Sequence, residues 1–247
     1  MIFNPVLAGL TFRQALAKRR WLIVVLLAAL PVVVSVLTRV YGTVDDEPLA
    51  MVAGGLSGLI LTVVVPFIAL ILASSSFGAE IDDGTVMYLL AKPISRTEIV
   101  ITKLAVTALI CMVLGVVSTL ASGMIMMKGL DATRLVLGFT AGAALGAFLY
   151  SAIFLALGLI TKRGLLVGLV YLVIWEGTLG RFFKGTRVLS VRQYMLAVTD
   201  AISTVDKEVF EALLAPQTAY IMSAVVAAGA IALCIYKLRN FEVGQAA

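Results

Sequence analysis

The amino-acid sequence predicts an all-α fold, that of a polytopic membrane protein with six transmembrane helices. Hydrophobic residues make up 62% of the 247 positions and charged residues only 13%, whereas about a quarter of the residues in a soluble domain are charged. The mean hydropathy is +1.10. Several apolar stretches reach the length of about 20 residues that a helix needs to cross the hydrocarbon. Because lipid offers the backbone no hydrogen-bond partner, these stretches are expected to be helical.

The chain is expected to form one membrane domain over residues 1–247, which begins with an interfacial helix within residues 1–20. Asn4 and Pro5 have the pattern of a helix cap and a first helical residue. The apolar residues that follow one side of this helix are Phe3, Val6, Leu7 and Leu10. The six spans are predicted at residues 21–38, 50–77, 99–127, 135–160, 164–180 and 218–236, with a cytoplasmic loop at 78–98 and an outer loop at 181–217.

The distribution of basic residues predicts that both termini lie in the cytoplasm, on the inner side of a prokaryotic plasma membrane. The cluster Lys18-Arg19-Arg20, just before the first span, is the strongest indication. Within the outer loop, Arg187–Val205 and Asp206–Leu214 have helix-like spacing. These segments would lie on the outer face, where they could gate an exit or cap the bundle; the sequence leaves both open.

The composition also excludes several classes of site. Histidine is absent, which removes histidine-based triads, HExxH zinc sites and most proton relays. Cys111 and Cys234 lie in apolar runs and are interpreted as buried hydrophobes. The net charge of +5 is spread over the loops, which suits contact with anionic membrane lipid and not nucleic-acid binding. No metal site or bound cofactor is predicted.

Two features inside the spans are candidates for a role in packing or in a pathway. Gly138, Gly142 and Gly146 recur four residues apart, a spacing that lets helix backbones approach closely in lipid. This packing could occur within one chain or across a dimer. Glu176, toward the outer end of the fifth span, could line a pathway or an outer interface; the favoured interpretation is an interfacial carboxylate that snorkels or pairs with Arg181.

The loop between the second and third spans has the pattern of a short helix with a firm end. Acidic residues at Glu80, Asp82 and Asp83 favour a helix N-terminus through the helix dipole. Pro93 would end the helix, and Ser95 and Glu98 would then form a capping box before the third span. Residues that share one face of this helix are Ile81, Thr85, Tyr88 and Leu89. From the residues alone, this helix could dock into a groove on a soluble partner or lie on the membrane.

The same loop resembles the corresponding loop of type-2 ABC exporter permeases. The matching residues are Gly84-Thr85, Leu89-Leu90, Lys92-Pro93-Ile94-Ser95-Arg96, Glu98-Ile99 and Lys103. Within that family the chain is most similar to small six-span permeases, such as the nitrous-oxide-reductase maturation permease and multidrug or lipid exporter permeases. The resemblance implies a cytoplasmic coupling helix that docks on an ATPase through Glu80, Ile81, Asp82, Asp83, Gly84, Thr85, Tyr88, Leu89 and Leu90. It also implies a junction between this helix and the third span at Pro93, Ser95, Arg96, Glu98 and Lys103.

The resemblance further implies how the protein would work. Two copies of a separate ATPase subunit would hold ATP and Mg, since this chain has no GxxxxGK[ST] phosphate loop and is not expected to be an enzyme by itself. A homodimer, or a heterodimer with a homologous permease, would move a substrate out of the cytoplasm. The alternative is a permease that transmits force or cargo to an extracytoplasmic partner for metal-cofactor assembly. A more remote alternative is a membrane-embedded enzyme, against which the lack of histidine and of paired carboxylates within a span argues.

Overall fold

The computed structural model describes residues 4–16, 20–41, 48–82, 94–127, 130–161, 163–179 and 184–240, and over these ranges it is helical without a β-strand. This confirms the predicted all-helical class. The α-helices are α1 (Pro5–Leu16), α2 (Arg20–Tyr41), α3 (Pro48–Gly55), α4 (Val65–Asp82), α5 (Arg96–Met126), α6 (Thr133–Ile160), α7 (Gly164–Val170), α8 (Val191–Ile202) and α9 (Pro216–Arg239). Two π-helical segments, Leu56–Val64 and Tyr171–Leu179, join α3 to α4 and extend α7. A 3₁₀ helix, Lys184–Leu189, precedes α8.

Within the described residues, five helices are long and apolar enough to span a membrane. They are α2, the continuous stretch Pro48–Gly78, α5, α6 and α9. The fifth predicted span differs, because its apolar helix covers only Gly164–Thr178. At about 1.5 Å per residue this helix is about 22 Å long, short of the hydrocarbon core of about 30 Å. The ranges that the structure describes therefore contain five helices of spanning length, where the sequence predicts six spans.

Helix α6 lies at the centre of the bundle, in contact with α4, α5, α7, α8 and α9. Three of its aromatic side chains, Phe139, Tyr150 and Phe154, are completely buried. Over the most apolar window of α6, 67% of the residues are buried, against 22% in both α2 and α9. The apolar faces of α2 and α9 are thus left for lipid or for another protein surface.

The first helix begins where the sequence predicts. The Asn4 side chain accepts hydrogen bonds from the backbone N–H groups of Val6 (3.1 Å) and Leu7 (3.2 Å), and α1 starts at Pro5. The predicted apolar side is divided between two environments. Leu7 is buried against the protein, whereas Val6 and Leu10 are exposed.

The structure corrects the limits of two loops. Helix α4 continues to Asp82. The last turn of the second span therefore includes residues that are expected from the sequence to begin the loop at 78–98. Among the described residues of the outer loop, 184–217, only Val191–Ile202 forms an α-helix, and Ser203 ends it in an extended conformation with a ψ of 146°. The segment Asp206–Leu214 is not helical; Val209 N–H donates to the Asp206 carbonyl in a turn, at 2.9 Å. Helical spacing alone did not show that the chain turns here.

Candidate functional site

A buried ion pair joins the ends of α4 and α5. Lys103, about two turns into α5, has no exposed surface, and its Nζ lies 2.7 Å from Glu80 Oε1. The same ammonium donates to the Ser76 carbonyl at 2.6 Å and lies 4.7 Å from the centre of the Phe77 ring. Burying a charge is unfavourable unless it is paired and hydrogen-bonded, and an aromatic face adds a further attraction. Three groups of α4 therefore hold one lysine of α5.

Helix α1 is attached to the same place. Gln14 Nε2 donates to Glu80 Oε1 at 3.3 Å. At the other end of α1, the Asn4 N–H donates to Thr102 Oγ1 at 3.2 Å, next to Lys103 in the sequence. We call the five residues Gln14, Ser76, Phe77, Glu80 and Lys103 the junction cluster. The end of the bundle where α4 ends and α5 begins is the junction end, and the opposite end is the far end.

The start of α5 has the Ser95 half of the predicted capping box. Ser95 is extended, with φ −65° and ψ 142°, and its side chain accepts a hydrogen bond from Glu98 N–H at 3.2 Å. Helix α5 then begins at Arg96. Ile94, before the cap, packs against the apolar core, of which the fully buried Ile99 is part. These contacts fix the point at which the chain enters α5.

The structure brings only some of the predicted coupling residues together. Glu80 and Lys103, predicted for docking and for the junction respectively, form one contact. Glu80 lies in the last turn of α4 and not at the start of a separate helix, because the helical backbone runs unbroken through Ile81 to Asp82. Asp83, Gly84, Thr85, Tyr88, Leu89, Leu90 and Pro93 lie outside the described residues.

The glycine row of α6 lies against a helix of the same chain. A Cβ added at Gly138 would lie 2.7 Å from the Thr199 carbonyl oxygen, and one at Gly142 would lie 2.7 Å from that of Met195. At Gly146 it would lie 1.9 Å from Met195 Sδ. Of the two arrangements that the sequence left open, the structure has the intrachain one, with α8 packed on the row.

Glu176 caps the N-terminus of α8. Its carboxylate accepts hydrogen bonds from Ser190 Oγ at 2.6 Å, from Val191 N–H at 2.9 Å and from the Tyr171 hydroxyl at 3.2 Å. The residue is 4% exposed. A negative charge at a helix N-terminus is favourable because unpaired N–H groups point toward it. The favoured sequence interpretation, a snorkelling interfacial carboxylate, does not describe this buried cap; Arg181 lies outside the described residues.

Further contacts fasten the start of α8 to the second span and to the π-helical extension of α7. Arg192 Nε donates to Thr62 Oγ1 in the π-helical part of the second span, at 2.8 Å. Trp175 Nε1 donates to the Leu189 carbonyl at 3.2 Å. The Tyr194 hydroxyl donates to the Val188 carbonyl. Burial, with a smaller effect of the Glu176 charge, raises the pKa of Tyr194 to about 12, so this hydroxyl keeps its proton.

Sequence reasoning missed two parts of this arrangement. The cap of α8 had a signal, since Ser190 and Gln193 have the same Ser-x-x-Gln spacing as a capping box, and Ser190 Oγ accepts from Gln193 N–H at 3.4 Å. The contribution of Gln14 had none, because it lies 66 residues from Glu80 in the chain. Among the described residues, no group of three or more Cys, Asp or Glu could hold a metal ion.

Comparison with known proteins assigns the class of this bundle. The family model described as ABC-2 family transporter protein matches residues 16–176, which include the junction cluster except Gln14, the loop after α4 and Glu176. No significant match was found among curated proteins. The matched segment covers well over half of the 247 residues. The chain therefore belongs to the ABC-2 family of transporter proteins and is an ABC-type permease of the membrane.

Proposed function

We propose that this chain is the transmembrane permease subunit of an ATP-driven exporter, which moves a substrate out of the cytoplasm. Two copies of it, or one copy and a homologue, would enclose the pathway. Two copies of a separate ATPase subunit would bind ATP and Mg. Membership of the ABC-2 family supports the class of protein, and the missing phosphate loop supports a separate ATPase.

The junction end faces the cytoplasm of a prokaryotic cell in this proposal. Arg20, Arg163 and Arg239 are at this end of α2, α7 and α9, in keeping with the excess of basic residues on cytoplasmic loops. Both termini then lie inside, and α1 lies in the membrane interface with Val6 and Leu10 toward lipid. Helix α7 and its π-helical extension would form a sixth, shorter crossing, whose far end is held by the cap on α8.

The observation that carries the proposal is the Lys103–Glu80 ion pair. It joins the last turn of α4 to the second turn of α5, the two helices between which the loop after Asp82 runs. A force on that loop would therefore move the two helix ends as one unit and would not separate them. Gln14 adds α1 to the same unit. Docking of an ATPase on the loop would thus displace three helices at once.

Docking itself is proposed for residues 83–90, and the role of Glu80 is revised. Its side chain is 11% exposed and is already occupied by Lys103, so it offers an ATPase little surface. Glu80 is better described as a positioning residue, which sets where the loop leaves α4. Asp83 and Leu89, an acid and an apolar residue, remain the proposed contacts with a groove on the ATPase.

Capture of a phosphate-loop ATPase by the purified chain tests this proposal. The probe is an ATPase encoded beside the permease, co-expressed with wild type, with Asp83→Arg/Leu89→Arg, or with Glu211→Arg. Glu211 is a control because its side chain is 57% exposed and lies in the outer loop. We expect the loop variant to lose at least about tenfold in captured ATPase, equal to about 1.4 kcal/mol, and the control to lose none. Undiminished capture by the loop variant would refute docking at residues 83–90.

A further inference from the structure

A groove at the junction end opens between α2, α4 and α7. Its volume is about 470 Å³, within the range of about 300–1,000 Å³ that is usual for small-molecule sites. The walls are mainly apolar side chains from all three helices: Ile23, Phe67, Leu70, Ile71, Leu165 and Leu169. Ser74 and Ser75 also line it, but their hydroxyls already donate to carbonyls one turn earlier in α4. The interior of the groove therefore favours a hydrocarbon occupant.

Two arginines line the same groove. Arg20 is the first residue of α2, and Arg163 directly precedes α7. They are 143 positions apart in the sequence, each next to further basic residues, in Lys18-Arg19-Arg20 and Lys162-Arg163. Among the described residues, no acidic side chain lines the groove and neither arginine forms an ion pair. Two exposed guanidinium groups beside one apolar cavity are suited to pair with an anionic ligand.

The combination of charge and hydrocarbon identifies the class of ligand. A small soluble anion would leave the apolar walls unused, and an uncharged lipid would leave the two arginines without a partner. Guanidinium groups bind phosphate oxygens through paired hydrogen bonds, and basic pockets between transmembrane helices on the cytoplasmic side bind acidic lipid head groups. We propose that this groove binds one anionic phospholipid of the adjacent leaflet, with its phosphate at Arg20 and Arg163 and an acyl chain between α2, α4 and α7.

The groove lies on the opposite side of α4 from the junction cluster. Ser74, Ser75 and Gly78 line the groove, while Ser76, Phe77 and Glu80 contact Lys103. The bound lipid thus contacts the same turns of α4 that hold Lys103, but on their other face. Binding does not depend on the proposed export activity, since it needs neither the ATPase nor a transported substrate.

Native mass spectrometry of the full chain released from detergent tests the proposal. The chain is titrated with phosphatidylglycerol and, separately, with phosphatidylcholine of the same acyl chains. We expect one phosphatidylglycerol to be retained more tightly than phosphatidylcholine. The variant Arg20→Gln/Arg163→Gln should bind phosphatidylglycerol about thirtyfold more weakly, with about fivefold to sixfold lost for each arginine. Arg239→Gln, an exposed arginine at the same end of the bundle but outside the groove, should leave it unchanged.

A second pair of variants tests whether the apolar walls of the groove hold the acyl chain. A Cβ at Gly78 or at Gly229 would meet no atom within 4 Å, so both positions accept a side chain without a backbone clash. Gly78→Phe should fill the groove and abolish retention, whereas Gly229→Phe on α9 should not. Glycerol phosphate, which carries the head-group charge alone, should not displace the lipid. Equal binding of phosphatidylcholine, displacement by glycerol phosphate, or full retention by the double arginine variant would each overturn the proposal.

Discussion

Lys103 and Glu80 form an ion pair inside the protein, with Nζ 2.7 Å from Oε1 and with the lysine side chain fully buried. The residues are 23 positions apart in the sequence, on the two helices that flank the proposed docking loop. The pair is also hydrogen-bonded to α1 through Gln14. One contact therefore sets the relative position of three helix ends.

Removal of one partner of this pair should destabilise the protein. Lys103→Met leaves the Glu80 carboxylate buried without its counter-charge, and breaking a buried pair in this way costs about 3–5 kcal/mol. Lys103→Met/Glu80→Gln removes both charges, so we expect it to recover most of that loss. The melting temperature of the purified chain in detergent measures both effects. A Lys103→Met variant that melts like wild type would contradict this energetic role.

The packing of α8 on α6 should be sensitive to single methyl groups. Gly142→Ala places a Cβ 2.7 Å from the Met195 carbonyl oxygen, a backbone atom that cannot move aside alone. Overpacking of this kind costs about 1–3 kcal/mol. Gly229→Ala is the matched control, because its Cβ meets nothing within 4 Å and alanine is the better helix former. The melting temperature should fall for Gly142→Ala and should stay level or rise for Gly229→Ala. Equal melting temperatures of the two variants would exclude close packing of α8 on the glycine row of α6.

The Glu176 carboxylate should hold the first turn of α8. Glu176→Gln keeps the size of the side chain but removes the negative charge of the carboxylate, which accepts hydrogen bonds from Ser190 Oγ and Val191 N–H. A charge-assisted cap of this kind contributes about 1–2 kcal/mol, so hydrogen exchange within Val191–Ile202 should accelerate about tenfold. Glu211→Gln, at an exposed acid of the outer loop, is the control. Unchanged exchange in α8 of Glu176→Gln would show that the carboxylate does not stabilise this helix.

The cap at Ser95 should matter for the start of α5. Ser95→Ala removes the acceptor of the Glu98 N–H, which costs about 1 kcal/mol for an N-cap, whereas Ser95→Thr keeps it. We expect faster hydrogen exchange over residues 96–99 in the alanine variant and near-wild-type exchange in the threonine variant. Equal hydrogen exchange in both variants would show that the Ser95 hydroxyl does not stabilise the start of α5.

Local signals in the sequence predicted much of the fold. The apolar runs predicted five of the spans to within a few residues, and Asn4, Pro5 and Ser95 predicted the starts of α1 and α5. These features depend on residues within one or two turns of each other, so they can be read without knowledge of the fold. The fifth predicted span, at 164–180, has almost the predicted limits in α7 and its π-helical extension, but this helix is shorter than the five of spanning length.

The long-range contacts could not be predicted in the same way. Glu80 and Lys103 were both singled out, but with separate roles, because sequence spacing does not show which face of α4 meets α5. The burial of α8 was also missed, since an amphipathic segment in a polar loop has the same pattern on a surface as against α6. Glu176 drew attention as a charged residue in an apolar run, yet its partners Ser190 and Val191 lie 14 and 15 residues away.

The most direct test is whether ATP binding moves the far ends of the spans through the junction cluster. Spin labels at Met124→Cys on α5 and Tyr220→Cys on α9, both exposed at the far end, are placed in a complex with the ATPase. Labelled chains are diluted with unlabelled ones, so that only the distance within one chain is measured. We expect an ATP-dependent change in this distance for wild type. We expect no change for Lys103→Met/Glu80→Gln that still captures the ATPase. An equal change in both complexes, or none in wild type, would contradict coupling through the junction cluster.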